Sequence, residues 1–274
     1  MLKSIDNAIR QLLGEHISWK VRYYSWKVLY FWPRQIGSLF INHPPLVTTF
    51  RGCTEPEFVK LIRSTNTYEP TSLCKLMTLF GSDKGRRRHN YTTVYYALFE
   101  GMRAVPLRIF ELGLGSTNPA FQFSMGIYGR PGASLRGWRA FFPRAEVFGA
   151  DIDRDALFNE SGIQTYFCDQ LDPASIREMW AEPSLRMGMD IIIEDGLHTL
   201  EANMNFLENS VDLVRSGGFY IIEDIAKSCI DRWKNQICSV YLEKYPDCKF
   251  ALVQLPNAFN DIDNNMLIVN KKRS

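Results

Sequence analysis

The chain has 274 residues, 46% hydrophobic and 23% charged, enough for one large core or a core with a smaller attachment. A formal net charge of +2 gives no basis for a nucleic-acid partner, and no uncharged apolar run approaches the ~20 residues of a membrane-spanning helix. The six cysteines (Cys53, Cys74, Cys168, Cys229, Cys238, Cys248) are scattered, without a CxxC pair or a secretory signal before them, which reads as reduced thiols in a cytoplasm.

The first predicted element is "ISWKVRYYSWKVLYFWPR" (17–34). As a helix it puts Ile17, Val21, Tyr24, Val28 and Phe31 on one face, with Lys20, Lys27 and Arg34 as a stripe beside it. Such a helix docks on its own domain or a second subunit, making a homo-oligomer. Alternatively it lies on the inner face of an anionic membrane. Pro44-Pro45 break the chain before a connecting helix in "EPEFVKLIRS" (55–64). Arg86, Arg87 and Arg88 read as a solvated loop or a phosphate contact.

From residue 107 short apolar runs alternate with amphipathic stretches. Strands are predicted at 107–115, 145–153, 163–170, 189–196 and 218–225, and helices at 134–142, 173–182 and 199–218, the last closed by glycines. The runs "KFALVQL" (249–255) and "NMLIVNK" (265–271) read as a terminal antiparallel hairpin. This pattern predicts a doubly wound, Rossmann-like α/β sheet, mostly parallel, with ligands at the carboxyl ends of the strands. Residues 79–274 would form that domain and residues 1–78 an N-terminal helical extension.

Acids end five consecutive predicted strands: Glu111; Asp151 and Asp153; Asp169; Glu194 and Asp195; Glu223 and Asp224. One strand-end carboxylate often caps the next helix, but five in succession define an acidic rim. In "ELGLG" (111–115), Gly113 and Gly115 are followed by Asn118, so the third glycine of a dinucleotide fingerprint is missing. An acid two residues before the first glycine is instead typical of S-adenosylmethionine sites. Glu111 and the glycine turn suit the amino-acid end of that cofactor, Asp151 its ribose hydroxyls, with Asp153 as substitute, and Asp169 its adenine amine. At the tips of strands four and five, Asp195, Glu223 and Asp224 would repel one another unless a cation such as Mg²⁺ or another hard divalent ion sits among them. His198, three residues past Asp195, has a reference pKa of about 6.5 and suits a general base.

These residues carry a resemblance. The stretch from about Leu79 to Ile225 resembles the macrocin and mycinamicin type of sugar O-methyltransferase, through "GSDKG" (81–85), "HNYTTVYYALFEGMR" (89–103), "FELGLG" (110–115), "GRPGASLRGWRAFFPRAEVFGADID" (129–153), "DIIIEDGLHT" (190–199) and "GGFYIIEDI" (217–225). The resemblance implies S-adenosylmethionine and Mg²⁺ as cofactors, Asp195, Glu223 and Asp224 as metal ligands, and His198 as base. It implies that the loop 116–134, ending at Ser134, wraps the cofactor, and that the "DKG" segment closes over it. Glu194 and Leu197 stand where the family commonly has an aspartate and a small polar residue. The expected acceptor is a sugar hydroxyl of a glycan or glycosylated metabolite. A non-catalytic subunit on the same fold, or a hydroxylase-like relative, is the alternative.

Overall fold

The computed structural model describes residues 44–50, 55–65, 69–85, 89–121, 124–126, 129–257, 260 and 262–273. The aromatic stretch 17–34 and Arg86–Arg88 lie outside these residues.

Among the described residues nine strands form one sheet: β1 (Leu46–Thr49), β2 (Arg108–Leu112), β3 (Glu146–Asp151), β4 (Asn159–Glu160), β5 (Ile163–Phe167), β6 (Met189–Glu194), β7 (Val214–Ile222), β8 (Cys248–Gln254) and β9 (Asn265–Lys271). Their order is β1-β8-β9-β7-β6-β2-β3-β5-β4. The run β7-β6-β2-β3-β5 is parallel, whereas β8 and β9 pair antiparallel as expected. β1 pairs antiparallel with β8, so the region expected to be a helical extension contributes a strand to the sheet from Leu46 on.

The helices are α1 (Glu57–Arg63), α2 (Ser72–Phe80), α3 (Tyr91–Phe99), α4 (Ala133–Phe141), α5 (Pro173–Trp180), α6 (Leu200–Ser210) and α7 (Ile230–Gln236). Period-two alternation deals the strand residues to two cores. Ile109, Ile191, Ile193 and Ile221 pack with the side chains of α1 to α4, including Phe58, Met77, Tyr95 and Trp138. Phe110, Leu112, Ile192 and Ile222 pack with those of α5 to α7, including Trp180, Phe206 and Trp233. Both faces of the parallel strands are therefore covered, which explains why their sequences are continuous apolar runs.

Local signals start the helices where expected. Asp172 caps α5 by accepting the Ala174 N–H at 2.8 Å, with Pro173 in the first turn. Thr199 caps α6 by accepting from Ala202. The helix expected over 199–218 ends at Ser210, and β7 begins at Val214. Gly217 and Gly218 do not close the helix; they sit where the β6–β7 register shifts between Met189 and Ile191. A Cβ on Gly218 would lie 2.7 Å from the Asp190 carbonyl, so glycine serves close approach of the two strands here.

Among the described residues no helix is long and apolar enough to cross a membrane. The thiols differ sharply in environment. Cys168 and Cys248 are buried, and burial pushes each up to about 12, while Cys238 is exposed. Alkylation of the native protein at pH 8 is expected to label Cys238 and spare Cys168 and Cys248 until denaturant is added. Mass mapping that finds Cys168 labelled first would contradict the buried placement.

Candidate active site

The sheet reverses direction between β2 and β6: the chain runs outward from β2 through β3 to β5, then returns to β6 and β7. A crevice opens at the carboxyl ends of the strands on either side of such a switch. Gly113, at φ 92°, follows β2 and presses against the tip of β6, where a Cβ would lie 1.9 Å from the Asp195 carbonyl. Only glycine fits that contact and that dihedral.

The structure brings Asp195, His198 and Asp224 together. His198 Nε2 lies 3.1 Å from Asp195 Oδ1 and 3.5 Å from Asp224 Oδ2. Both His198 (φ 58°) and Asp224 (φ 53°) hold left-handed backbone conformations, which non-glycine residues seldom adopt and which recur at functional sites. Among the described residues, two groups offer ligand atoms within 4.8 Å of one another: Asp195 with His198 and Asp224, and His89 with Asp224 and Asp263. In the second, Asp224 Oδ1 already takes a 2.6 Å hydrogen bond from the Tyr91 hydroxyl and lies 3.1 Å from His89 Nδ1.

Glu223 is outside the group of Asp195, His198 and Asp224 but meets Asp195 through Lys84. It lies at an odd position after Ile221 and faces the same side as Glu111, into the core under α3. There it is fully buried, accepts from the Tyr95 hydroxyl and pairs with the Lys84 ammonium. Lys84 Nζ also reaches Asp195 Oδ2 at 2.5 Å and Glu111 Oε1 at 3.6 Å. Burial would lower the lysine pKa, but Asp195, Glu111 and Glu223 raise it further, so Lys84 is an ammonium. The Lys84 ammonium thus lies between Glu223 and one edge of Asp195, while Asp195 Oδ1 and Asp224 Oδ2 face His198.

The surroundings also set the charge of His198 while no cation lies among the carboxylates. Burial would push the imidazolium down. The Asp195 hydrogen bond and the charges of Asp224, Asp195 and Glu194 outweigh it and carry the pKa of the cation-free protein up to about 10. The folded state therefore keeps a proton that an unfolded chain releases between about pH 6.5 and 10. This contribution is complete below about 6.5 and is lost as pH rises toward 10. Melting of the chelator-treated protein should fall across that window, and less steeply in His198→Ala. Equal slopes would contradict the imidazolium assignment.

On the other side of the glycine turn, Glu111 is buried, accepts from Trp138 Nε1 at 2.6 Å and from the Ser134 hydroxyl. Asp151 accepts the Leu114 N–H at 2.7 Å and the Asp153 N–H at 2.9 Å. Asp153 accepts from the Ser116 hydroxyl and from the Asp155 N–H. Gly115, at φ 83°, packs under Met125 of the loop 116–134. Asp169 stands at the end of β5, half-buried, accepting the Leu171 N–H at 2.9 Å. Glu111, Ser134, Asp151 and Asp153 thus gather around the turn, each already holding or held by protein groups. Carboxylates retain further acceptor capacity beyond these single bonds.

No protein-family model matches the chain. It is 32% identical over 160 residues, 58% of its own length, to an 8-demethyl-8-(2-methoxy-alpha-L-rhamnosyl)-tetracenomycin-C 3'-O-methyltransferase of Streptomyces olivaceus. It is 32% identical over 157 residues to a demethylmacrocin O-methyltransferase of Streptomyces fradiae, and 31% identical over 157 to a mycinamicin VI 2''-O-methyltransferase of Micromonospora griseorubida, covering 56% of the chain in each case. The chain is similar to sugar O-methyltransferases of the macrocin and mycinamicin type. It spans 36–38% of the length of these relatives. Among solved structures it matches the MycE methyltransferase from the mycinamycin biosynthetic pathway in complex with Mg and SAH. That match has a TM-score of 0.55 and 26% identity and covers 75% of this chain and 56% of that one. The Rossmann-like sheet expected from the strand pattern, of the methyltransferase type that the resemblance implies, is borne out by this likeness.

The segment 83–95 supplies donors that sequence reading did not single out: Lys84 to Glu223 and Asp195, His89 and Tyr91 to Asp224, Tyr95 to Glu223. The signal available was the "DKG" run itself, in the polar turn after α2.

Proposed function

We propose that this chain transfers a methyl group from S-adenosylmethionine to a hydroxyl of a sugar carried by a glycosylated natural product, with a divalent cation at Asp195 and Asp224. The convergence of Asp195, Asp224 and His198 at neighbouring strand tips beside the glycine turn carries this reading. The similarity to enzymes named for methylating rhamnosyl, olivosyl and related sugars supports the acceptor class.

The donor set fits the group. Two aspartate oxygens suit Mg²⁺, with positions left for water and acceptor. A cation held there would polarise an acceptor hydroxyl and offset the carboxylate charge around His198. Asp195 and Asp224 orient the hydroxyl toward His198. His198 Nε2 takes its proton. Lys84, with Glu223 and Tyr95 behind it, fixes the far edge of Asp195, and Tyr91 and His89 fix Asp224. Asp151 with Asp153 is assigned to the ribose, Asp169 to the adenine, and Glu111 with Ser134 to the wall beneath the amino-acid end. The turn at Gly113 and Gly115 lets the backbone approach. Positioning and charge carry methyl transfer, so rigid carboxylates matter more than a covalent partner.

Incubation with methyl-labelled S-adenosylmethionine and a panel of rhamnosylated and olivosylated acceptors tests this. Label in the sugar supports it. Cofactor binding without transfer to any acceptor would favour a binding subunit on the same fold.

A further inference from the structure

Glu194 is fully buried and has no role in the chemistry above. It lies at an even position after Ile192, so it faces the α5–α7 side, away from the cluster around Lys84. Its Oε1 accepts from Gln170 Nε2 at 2.6 Å and its Oε2 from Asn203 Nδ2 at 2.5 Å, with the Gly196 N–H 3.3 Å from Oε1. Gln170 uses the other end of its amide as well: Oε1 accepts the Leu197 N–H at 2.8 Å. The Gln170 carbonyl is held in turn by Asn205 Nδ2 at 2.7 Å. Gln170 is itself buried.

One side chain thus grips the loop after β6 on both sides of Gly196. A glutamine can do this because its amide donates and accepts at once, which neither a carboxylate nor an apolar side chain can. The fit is close. A Cβ on Gly196 would lie 2.2 Å from Gln170 Oε1. The next residue after Leu197 is His198, held at φ 58°, a conformation that persists only where the surroundings enforce it.

We propose that Gln170, braced by Glu194 and Asn203, is the positioning residue that sets the loop 195–198 and holds His198 in its left-handed conformation facing Asp195 and Asp224. This rests on the reading of His198 as the proton acceptor. Gln170 also directly follows Asp169, so the same side chain ties the end of β5 to the loop that carries the base.

Two variants perturb the grip independently. Gln170→Ala removes both hydrogen bonds. Gly196→Ala leaves Gln170 in place and drives its amide off the loop. For each, turnover per folded molecule, S-adenosylmethionine affinity, melting and amide hydrogen exchange over 195–200 are measured on one preparation. Each variant should lose about 10- to 100-fold in turnover, the usual scale for partners that orient a site's first layer. Exchange at 195–200 should accelerate, with cofactor affinity retained. The double variant should be no worse than the poorer single one, since both break the same contact. Should Gln170→Ala not fold, Gly196→Ala carries the same test. Faster exchange with turnover preserved in both variants would make Gln170 merely structural and overturn the proposal, leaving the methyltransferase reading intact. Unchanged exchange would overturn it as well, since the grip would not exist. A wild-type protein without methyl transfer would sink the methyltransferase reading instead, while exchange still tells whether Gln170 sets the loop.

Discussion

Replacing His198 with alanine should lower turnover by about 10²–10⁴-fold, the usual worth of a positioned proton acceptor. The left-handed dihedral at this position separates chemistry from folding. At φ 58°, glycine is the residue that fits without strain, so His198→Gly should melt no lower than His198→Ala while remaining equally inactive. Cofactor binding should survive in both, because the assigned ribose and adenine acids, Asp151 and Asp169, lie at the ends of other strands. A histidine that only braces its acidic neighbours makes the opposite forecast: melting falls and the rate of the folded fraction stays. Turnover and melting measured on the same two variants therefore decide the role.

Lys84→Met should be the most damaging single change to the fold. It strips the counter-charge from Glu223, Asp195 and Glu111 at once. Leaving a buried partner of an ion pair uncompensated typically costs about 3–5 kcal/mol. The physical cause can be isolated with a second substitution. Glu223 is fully buried and its carboxylate pairs with the Lys84 ammonium, so without Lys84 its charge is left uncompensated. Neutralising it in Lys84→Met/Glu223→Gln should therefore recover much of the lost stability. Denaturant titration showing the double variant as unstable as the single would mean that Lys84 acts through packing and not through charge.

The parallel strands were legible because their apolar runs are continuous and their ends are marked by acids and glycines. The end of α6 was not. Gly217 and Gly218 look like a helix stop in one dimension, yet they serve the shifted register between β6 and β7, a property of two strands about 25 residues apart. The candidate site was legible in part. Asp195, His198 and Asp224 follow from strand ends alone. The pairing of Glu223 with Lys84 did not, although period two from Ile221 puts Glu223 on the Glu111 side. The partners of Lys84 could not be read from the "DKG" run, because they lie 111 residues away at Asp195 and 139 at Glu223. Gln170 was hidden for the same reason, lying 27 residues before the Leu197 amide it accepts.

The central claim is that Asp195 and Asp224 hold a cation that the reaction requires. Methyl transfer from labelled S-adenosylmethionine to a rhamnosylated or olivosylated acceptor, measured in excess chelator and again after Mg²⁺ is returned, tests it most directly. The expected result is loss of label transfer in chelator and recovery with Mg²⁺ in the wild type, and no recovery in Asp195→Ala or Asp224→Ala. Full label transfer in excess chelator would contradict the account.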